Sequence, residues 1–171
     1  MEIRKLEELE RADTRPLYET VFSEDSRAFV DYYYTEKTKD NQIYTVIEDS
    51  EIRAMLHLNP YSLMVNRVKK NANYIVAVAT QKEYRGRGYM GALLKRALND
   101  MCQEGEAFTF LMPAAEAIYT PYDFRTVYEQ NPLYYQDGEV YPKNVQVAEV
   151  TEADLSELSG AANQAVSYTH L

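Results

Sequence analysis

The sequence predicts an α+β fold, a mixed and mostly antiparallel central sheet flanked by helices, and three stretches carry that prediction. Residues 43–47 and 52–58 are rich in β-formers and bracket the polar turn Glu48-Asp49-Ser50-Glu51, the pattern of a hairpin. Residues 74–79 form an almost unbroken apolar run, suited to a central strand buried on both faces. Behind that run Met90, Leu93, Leu94, Ala97, Leu98 and Met101 recur at helical spacing, and residues 107–112 return to strand composition. Residues 74–112 are thus predicted to be a βαβ unit.

The remaining elements follow in order. Residues 3–6 are a short strand, and Leu17, Val21 and Phe22 share one face of a first helix. A second helix is expected to start at Ser23 as its N-cap and to carry Phe29, Val30 and Tyr33 at helical spacing. Asn59-Pro60 should close the second hairpin arm, with a further strand over residues 63–68 ending at the turn Lys69-Lys70-Asn71. A short helix over residues 114–119 is stopped by Pro121, and residues 125–128 can form a last strand. Beyond Pro142 the pattern starts afresh. Residues 145–150 read as a strand and Thr151-Glu152-Ala153-Asp154 as a helix start, with Leu155, Leu158, Ala161 and Ala162 as an apolar stripe. The expected organisation is one domain over residues 1–143 and the opening of a second over 144–165. Residues 166–171 resemble the translation of a sequencing-library adapter and are expected to be foreign to the natural protein.

Composition narrows the function. A net charge of −9 argues against a nucleic-acid partner, which needs a basic face. It suits a cationic partner drawn in by the overall field, and equally a surface that is acidic for solubility. No apolar run approaches a membrane span, and the N-terminus lacks a signal-peptide core, so a cytoplasmic protein without a membrane partner is expected. The single cysteine, Cys102, rules out an internal disulfide and a multi-cysteine metal site, and no metal is expected. The 16 tyrosines, with Tyr32-Tyr33-Tyr34 and Tyr134-Tyr135 among them, suit pocket walls or packing contacts.

The most telling chemistry lies in Arg85-Gly86-Arg87-Gly88-Tyr89-Met90-Gly91, between the apolar strand and the amphipathic helix. Glycines let a backbone approach a ligand and reach dihedrals that a side chain forbids. The first turn of the helix offers unpaired N–H groups at the positive end of its dipole. Two arginines add fork-shaped, charge-assisted contacts to phosphate oxygens. The arrangement predicts a site for a pyrophosphate-bearing cofactor.

With strand, loop and helix together, the chain resembles the GNAT superfamily of N-acetyltransferases. That family's Gln/Arg-x-x-Gly-x-Gly/Ala signature is matched by residues 85–90 except at Met90, where a small residue is usual; Gly91 follows it. The segment Ile118-Tyr119-Thr120-Pro121-Tyr122 further resembles the Ile-Tyr-x-x-Phe/Tyr segment of Eis-like acetyltransferases, in which a second, related domain and a sterol-carrier-like domain follow the first. The resemblance implies a GNAT acyl-CoA N-acyltransferase fold and acetyl-CoA as cosubstrate. Val78, Ala79 and Thr80 would lie along the pantetheine arm, and Arg85, Gly86, Arg87, Gly88, Tyr89, Met90 and Gly91 would hold the pyrophosphate. Tyr119 would protonate the leaving thiolate. The acceptor would be a primary amine on an aminoglycoside-like polycation, a polyamine or a peptide, and the full-length protein could be a homo-oligomer. The alternative is an acyl-CoA-binding or regulatory module that kept the fold without turnover. For the base, Glu83, Glu116 and His57 are local candidates, Eis-like enzymes use a chain-terminal carboxylate, and an amine arriving deprotonated needs none. His57, within a strand, also reads as a hydrogen-bonded core residue, and Cys102 as a small helix-stripe hydrophobe.

Overall fold

The computed structural model describes residues 1–129 and 148–167. It divides into two compact units, one of Met1–Leu63 with Lys69–Phe124, the other of Met64–Val68 with Arg125–Leu171. The sheet is a four-stranded antiparallel meander in the order β1 (Glu2–Lys5), β2 (Gln42–Glu48), β3 (Glu51–Val65) and β4 (Val68–Thr80), which belongs to the first unit except at residues 64, 65 and 68. The predicted α+β class, with an antiparallel sheet and flanking helices, is therefore the architecture found.

Strand registry sorts side chains by parity. On β3 Ala54, Leu56 and Leu58 join Tyr44 and Val46 of β2 in one core cluster, covered by Leu93, Leu94, Ala97 and Met101 of α3 (Tyr89–Gln103). Met55, the alternate residue, faces the other way, toward Leu17 and Tyr18 of α1 (Arg15–Val21) and Val30 and Tyr33 of α2 (Arg27–Thr35). A sheet with apolar groups on both faces must be covered twice, and the two helical layers do so. The β2–β3 connection is a two-residue turn with Asp49 and Ser50 at φ 54° and 61°, the mirror-image geometry that matches strand twist.

Several boundaries differ from the sequence reading. The N-cap of α2 is Ser26, whose Oγ accepts from the Phe29 amide at 3.2 Å, three residues after the expected Ser23. Asn59-Pro60 does not end a strand. Pro60 lies past the last β2 partner pair, Gln42 with Leu58, where β3 no longer needs an N–H donor on that side. The reversal comes at Asn66 and Arg67, both at positive φ, and Lys69-Lys70-Asn71 belong to β4 rather than to a turn.

Residues 107–112 make only a single parallel bridge, Tyr74 to Phe110, instead of a strand. The pairing rests on Ile75 N–H to Phe110 O at 2.9 Å and Phe110 N–H to Asn73 O at 3.4 Å. The βαβ connection therefore exists, but its second strand is one rung long. β4 is last in strand order, with Ile75, Ala77 and Ala79 buried and the residues between them half-buried. The short helix α4 (Glu116–Tyr119) passes into a 3-10 turn containing Pro121. No strand forms over residues 125–128 or 148–150. In the second unit a capping box at Thr151 and Asp154 opens the segment leading into α5 (Leu155–Ser167), at the predicted helix start. The expected boundary at 143/144, residues 145–147 of the expected strand, Tyr134-Tyr135 and residues 168–171 lie outside the described residues.

Candidate functional site

Beyond the bridge at Tyr74, the edge of β4 from Val76 to Thr80 pairs with no further strand among the described residues. Within it Ala77 sits at φ 50°, an uncommon conformation for a residue with a side chain. Such kinks re-aim backbone groups and concentrate at functional sites. Nothing in the sequence marks it, since alanine carries no turn signal.

The strand runs into the loop through short local bonds. Tyr84 N–H reaches Gln81 O at 2.9 Å, and the Arg85 guanidinium donates to Thr80 O at 3.2 Å. Gly86 and Gly88 take φ of 77° and 80°, where a side chain would be strained, so both glycines are required by the backbone path. Gly88 caps α3, whose first intrahelical bond runs from Ala92 N–H to Gly88 O. The amides of Tyr89, Met90 and Gly91 precede that bond, so they form the dipole-positive end of a 15-residue helix. Arg85 and Arg87 are exposed beside them. The sequence expectation placed these parts together, and the structure does so.

Met90, the departure from the signature, is half-buried against the α3-side core. The steric demand falls on Gly91. A Cβ there would lie 2.5 Å from the Tyr122 hydroxyl oxygen and 3.2 Å from Cζ. Tyr122 therefore holds the start of α3 against the segment after α4. Its role was not read from the sequence, although it stands in the quoted motif.

Tyr119 ends α4 half-buried, packed edge-on to Phe124 with ring centroids 5.9 Å apart. Burial pushes its phenol pKa up, with the nearby Tyr74 adding to the effect. It thus stays protonated at neutral pH, the state a proton donor needs. Val78, Tyr89, Met90 and Tyr119 all pack on the same core cluster, whereas Ala79 packs on the opposite face. The structure thus gathers four of the expected site residues on one side of the sheet, and Thr80 meets the loop through its carbonyl.

His57 is elsewhere. It is fully buried on the α1/α2 face, stacked on Tyr33 at 5.8 Å, with Tyr33 Oη 3.0 Å from Nδ1. Burial lowers its pKa to about 3. The sheet separates it from the cluster that holds Tyr119, so the core reading of His57 is the one that fits. Glu83 lies in the exposed turn before Arg85, and Glu116 opens α4. Among the described residues no group of three or more His, Cys, Asp or Glu could hold a metal, and no helix is long and apolar enough to cross a membrane.

Comparison with known proteins agrees with this geometry. A family model for the acetyltransferase (GNAT) domain matches residues 2–127. A predicted acetyltransferase from Clostridium acetobutylicum, solved with acetyl-CoA, superposes with a TM-score of 0.65 at 16% identity, over 78% of this chain and 95% of that one. Glucosamine-6-phosphate N-acetyltransferase from Arabidopsis thaliana gives 0.59 at 16% identity, over 79% and 98%. A probable N-acyltransferase of unknown function from Enterococcus faecalis V583 gives 0.66 at 22% identity over 71% of this chain. This chain spans 31% of that protein's length. At these identities the superpositions speak to fold. No curated protein matches the chain by sequence.

Proposed function

We propose, from the premise that this chain belongs to the GNAT acetyltransferase family, that it moves the acetyl group of acetyl-CoA to a primary amine by direct attack. The observation carrying this reading is the passage from the unpaired β4 edge, through Gly86 and Gly88 at positive φ, into the open N-terminus of α3.

Those residues fit the coenzyme. Arg85, Arg87 and the amides from Gly88 to Gly91 would hold the pyrophosphate, whose charge suits both guanidinium groups and the helix dipole. Val78, Ala79 and Thr80 would line the pantetheine arm through backbone groups. The coenzyme supplies an activated acyl group as a thioester. Backbone N–H groups near the kink at Ala77 would polarise its carbonyl. As the amine nitrogen bonds to the acyl carbon and the C–S bond breaks, Tyr119 donates its phenolic proton to sulfur. The amine proton passes to water or to a base, for which Glu83 and Glu116 stay open. His57, buried and neutral across the sheet, does not take it.

The segment Ile118-Tyr119-x-x-Tyr122 supports an Eis-like subtype, and the chain's net charge of −9 supports a cationic acceptor. The test is calorimetric titration of coenzyme A into the parent and an Arg85→Ala/Arg87→Ala variant. The reading predicts about a tenfold loss of affinity for the variant, the order expected for two charge-assisted contacts at an exposed site. Equal affinities would remove the loop from the coenzyme site.

A further inference from the structure

The loop is braced by residues about forty positions upstream. Glu48 ends β2, and its carboxylate accepts the hydroxyl proton of Tyr89, 41 residues later. The same Oε2 lies 3.8 Å from Nη1 of Arg87. Its carbonyl accepts from Arg53 Nε at 3.2 Å, while Arg53 Nη1 donates to Gln81 Oε1 at 3.0 Å. The Arg53 carbonyl in turn receives the Gln81 amide at 2.8 Å. The guanidinium groups of Arg53 and Arg87 lie 4.5 Å and 4.4 Å from the centroid of the Tyr84 ring, which stacks on Tyr89 at 6.2 Å. Residues flanking the β2–β3 turn thus touch the loop at its entry, Arg53 against Gln81 and Tyr84, and at its exit, Glu48 against Arg87 and Tyr89.

The geometry points to Glu48 as a positioning residue for coenzyme binding: through the Tyr89 hydroxyl it fixes the N-terminus of α3, and through Arg87 it holds one guanidinium beside the phosphate cradle before ligand arrives. This rests on the reading of residues 85–91 as the pyrophosphate loop. The physical basis is preorganisation. A side chain and a helix end already fixed in place lose less freedom on binding. Arg87 alone would be a poor anchor, because its side chain is 52% exposed and an exposed ion pair is weak. The Tyr89 contact is the firmer one, since that ring is 6% exposed and cannot swing away.

Coenzyme A titrations of parent, Glu48→Ala, Glu48→Gln, Tyr89→Phe and Arg85→Ala/Arg87→Ala proteins test this. Glu48→Ala and Tyr89→Phe should each weaken binding roughly fivefold, about the size of one ordinary net hydrogen bond. A Glu48→Ala/Tyr89→Phe double variant, titrated beside them, should bind about as well as Glu48→Ala alone, because both changes remove the same Tyr89–Glu48 bond. Glu48→Gln keeps an acceptor for the Tyr89 hydroxyl and should restore most of the affinity. Parent-like binding by Glu48→Ala or Tyr89→Phe overturns the proposal, as does Glu48→Gln binding no better than Glu48→Ala. If Glu48→Ala fails to fold, Tyr89→Phe and Glu48→Gln still decide it. Parent-like binding by the double arginine variant would instead overturn the loop reading itself, so the two failures are distinct.

Discussion

Tyr119 is half-buried and His57 fully buried, and their surroundings suit them to opposite roles. Tyr119 is half-buried on the α3 side, with its pKa pushed up and the phenol kept protonated. Tyr119→Phe should lower kcat about a hundredfold while leaving coenzyme affinity unchanged, as expected for loss of a general acid. Steady-state kinetics beside a binding titration checks this, and a fully active variant removes Tyr119 from the mechanism. His57 is held neutral, its pKa lowered from 6.5 to about 3 by burial. The unfolded chain therefore takes up a proton on this residue below pH 6.5 that the folded chain refuses. Stability supplied by neutral His57 is present above pH 6.5 and is lost as pH falls toward 3. Glu10, held down to about 2 by Arg4 from its ordinary value of 4.5, adds its own loss only below about 4.5. Between pH 6.5 and 4.5 the His57 contribution stands apart, with a slope approaching 1.4 kcal/mol per pH unit. Urea unfolding of parent and His57→Gln across that window should show the slope in the parent alone.

At the scale of elements, the start of α3 is fixed by a contact that leaves room only for hydrogen. Gly91→Ala gains about 1 kcal/mol of helix propensity. It also drives a methyl group to 2.5 Å from the Tyr122 hydroxyl oxygen, an overpacking that costs about 1–3 kcal/mol. The clash should win, and thermal denaturation should show a lower midpoint. Adding Tyr122→Phe removes the nearest atom and should recover most of the loss; no recovery would mean that the contact does not govern the site. These elements differ in how well the sequence announced them. β2, its turn at Asp49-Ser50 and the stripe of α3 were legible because hydrophobic period and turn chemistry agree there. The end of β3 was not, because Pro60 stands where an N–H is not required and the true turn, Asn66-Arg67, has no glycine. The strand expected over residues 107–112 has suitable composition but only one rung of pairing, and pairing is a tertiary property. Within the site, the glycines and arginines were legible because the backbone path and the charge demand those residue types. The kink at Ala77 and the Glu48 brace were hidden, since neither residue type signals what its neighbours in space will be.

For the molecule as a whole, charge sets a conflict that the loop resolves. On the proposed function, a chain of net charge −9 would repel the anionic coenzyme at long range and attract a cationic acceptor. The proposed site would then capture the coenzyme through local groups, Arg85, Arg87 and the amides of α3, whereas an amine would gain from the overall field. Raising salt from about 0.01 to 0.15 M shortens the Debye length from about 30 to 8 Å. The KM for a polyamine should then rise several-fold, and that for a small monoamine much less; equal responses would place recognition of the acceptor in short-range contacts. The most direct measurement of the account is thiol release from acetyl-CoA in the presence of a panel of primary amines, with the acetylated amine identified by mass spectrometry. The account predicts stoichiometric thiol and N-acetylated product with at least one cationic amine. A protein that binds acetyl-CoA yet releases no thiol with any amine in the panel would contradict it.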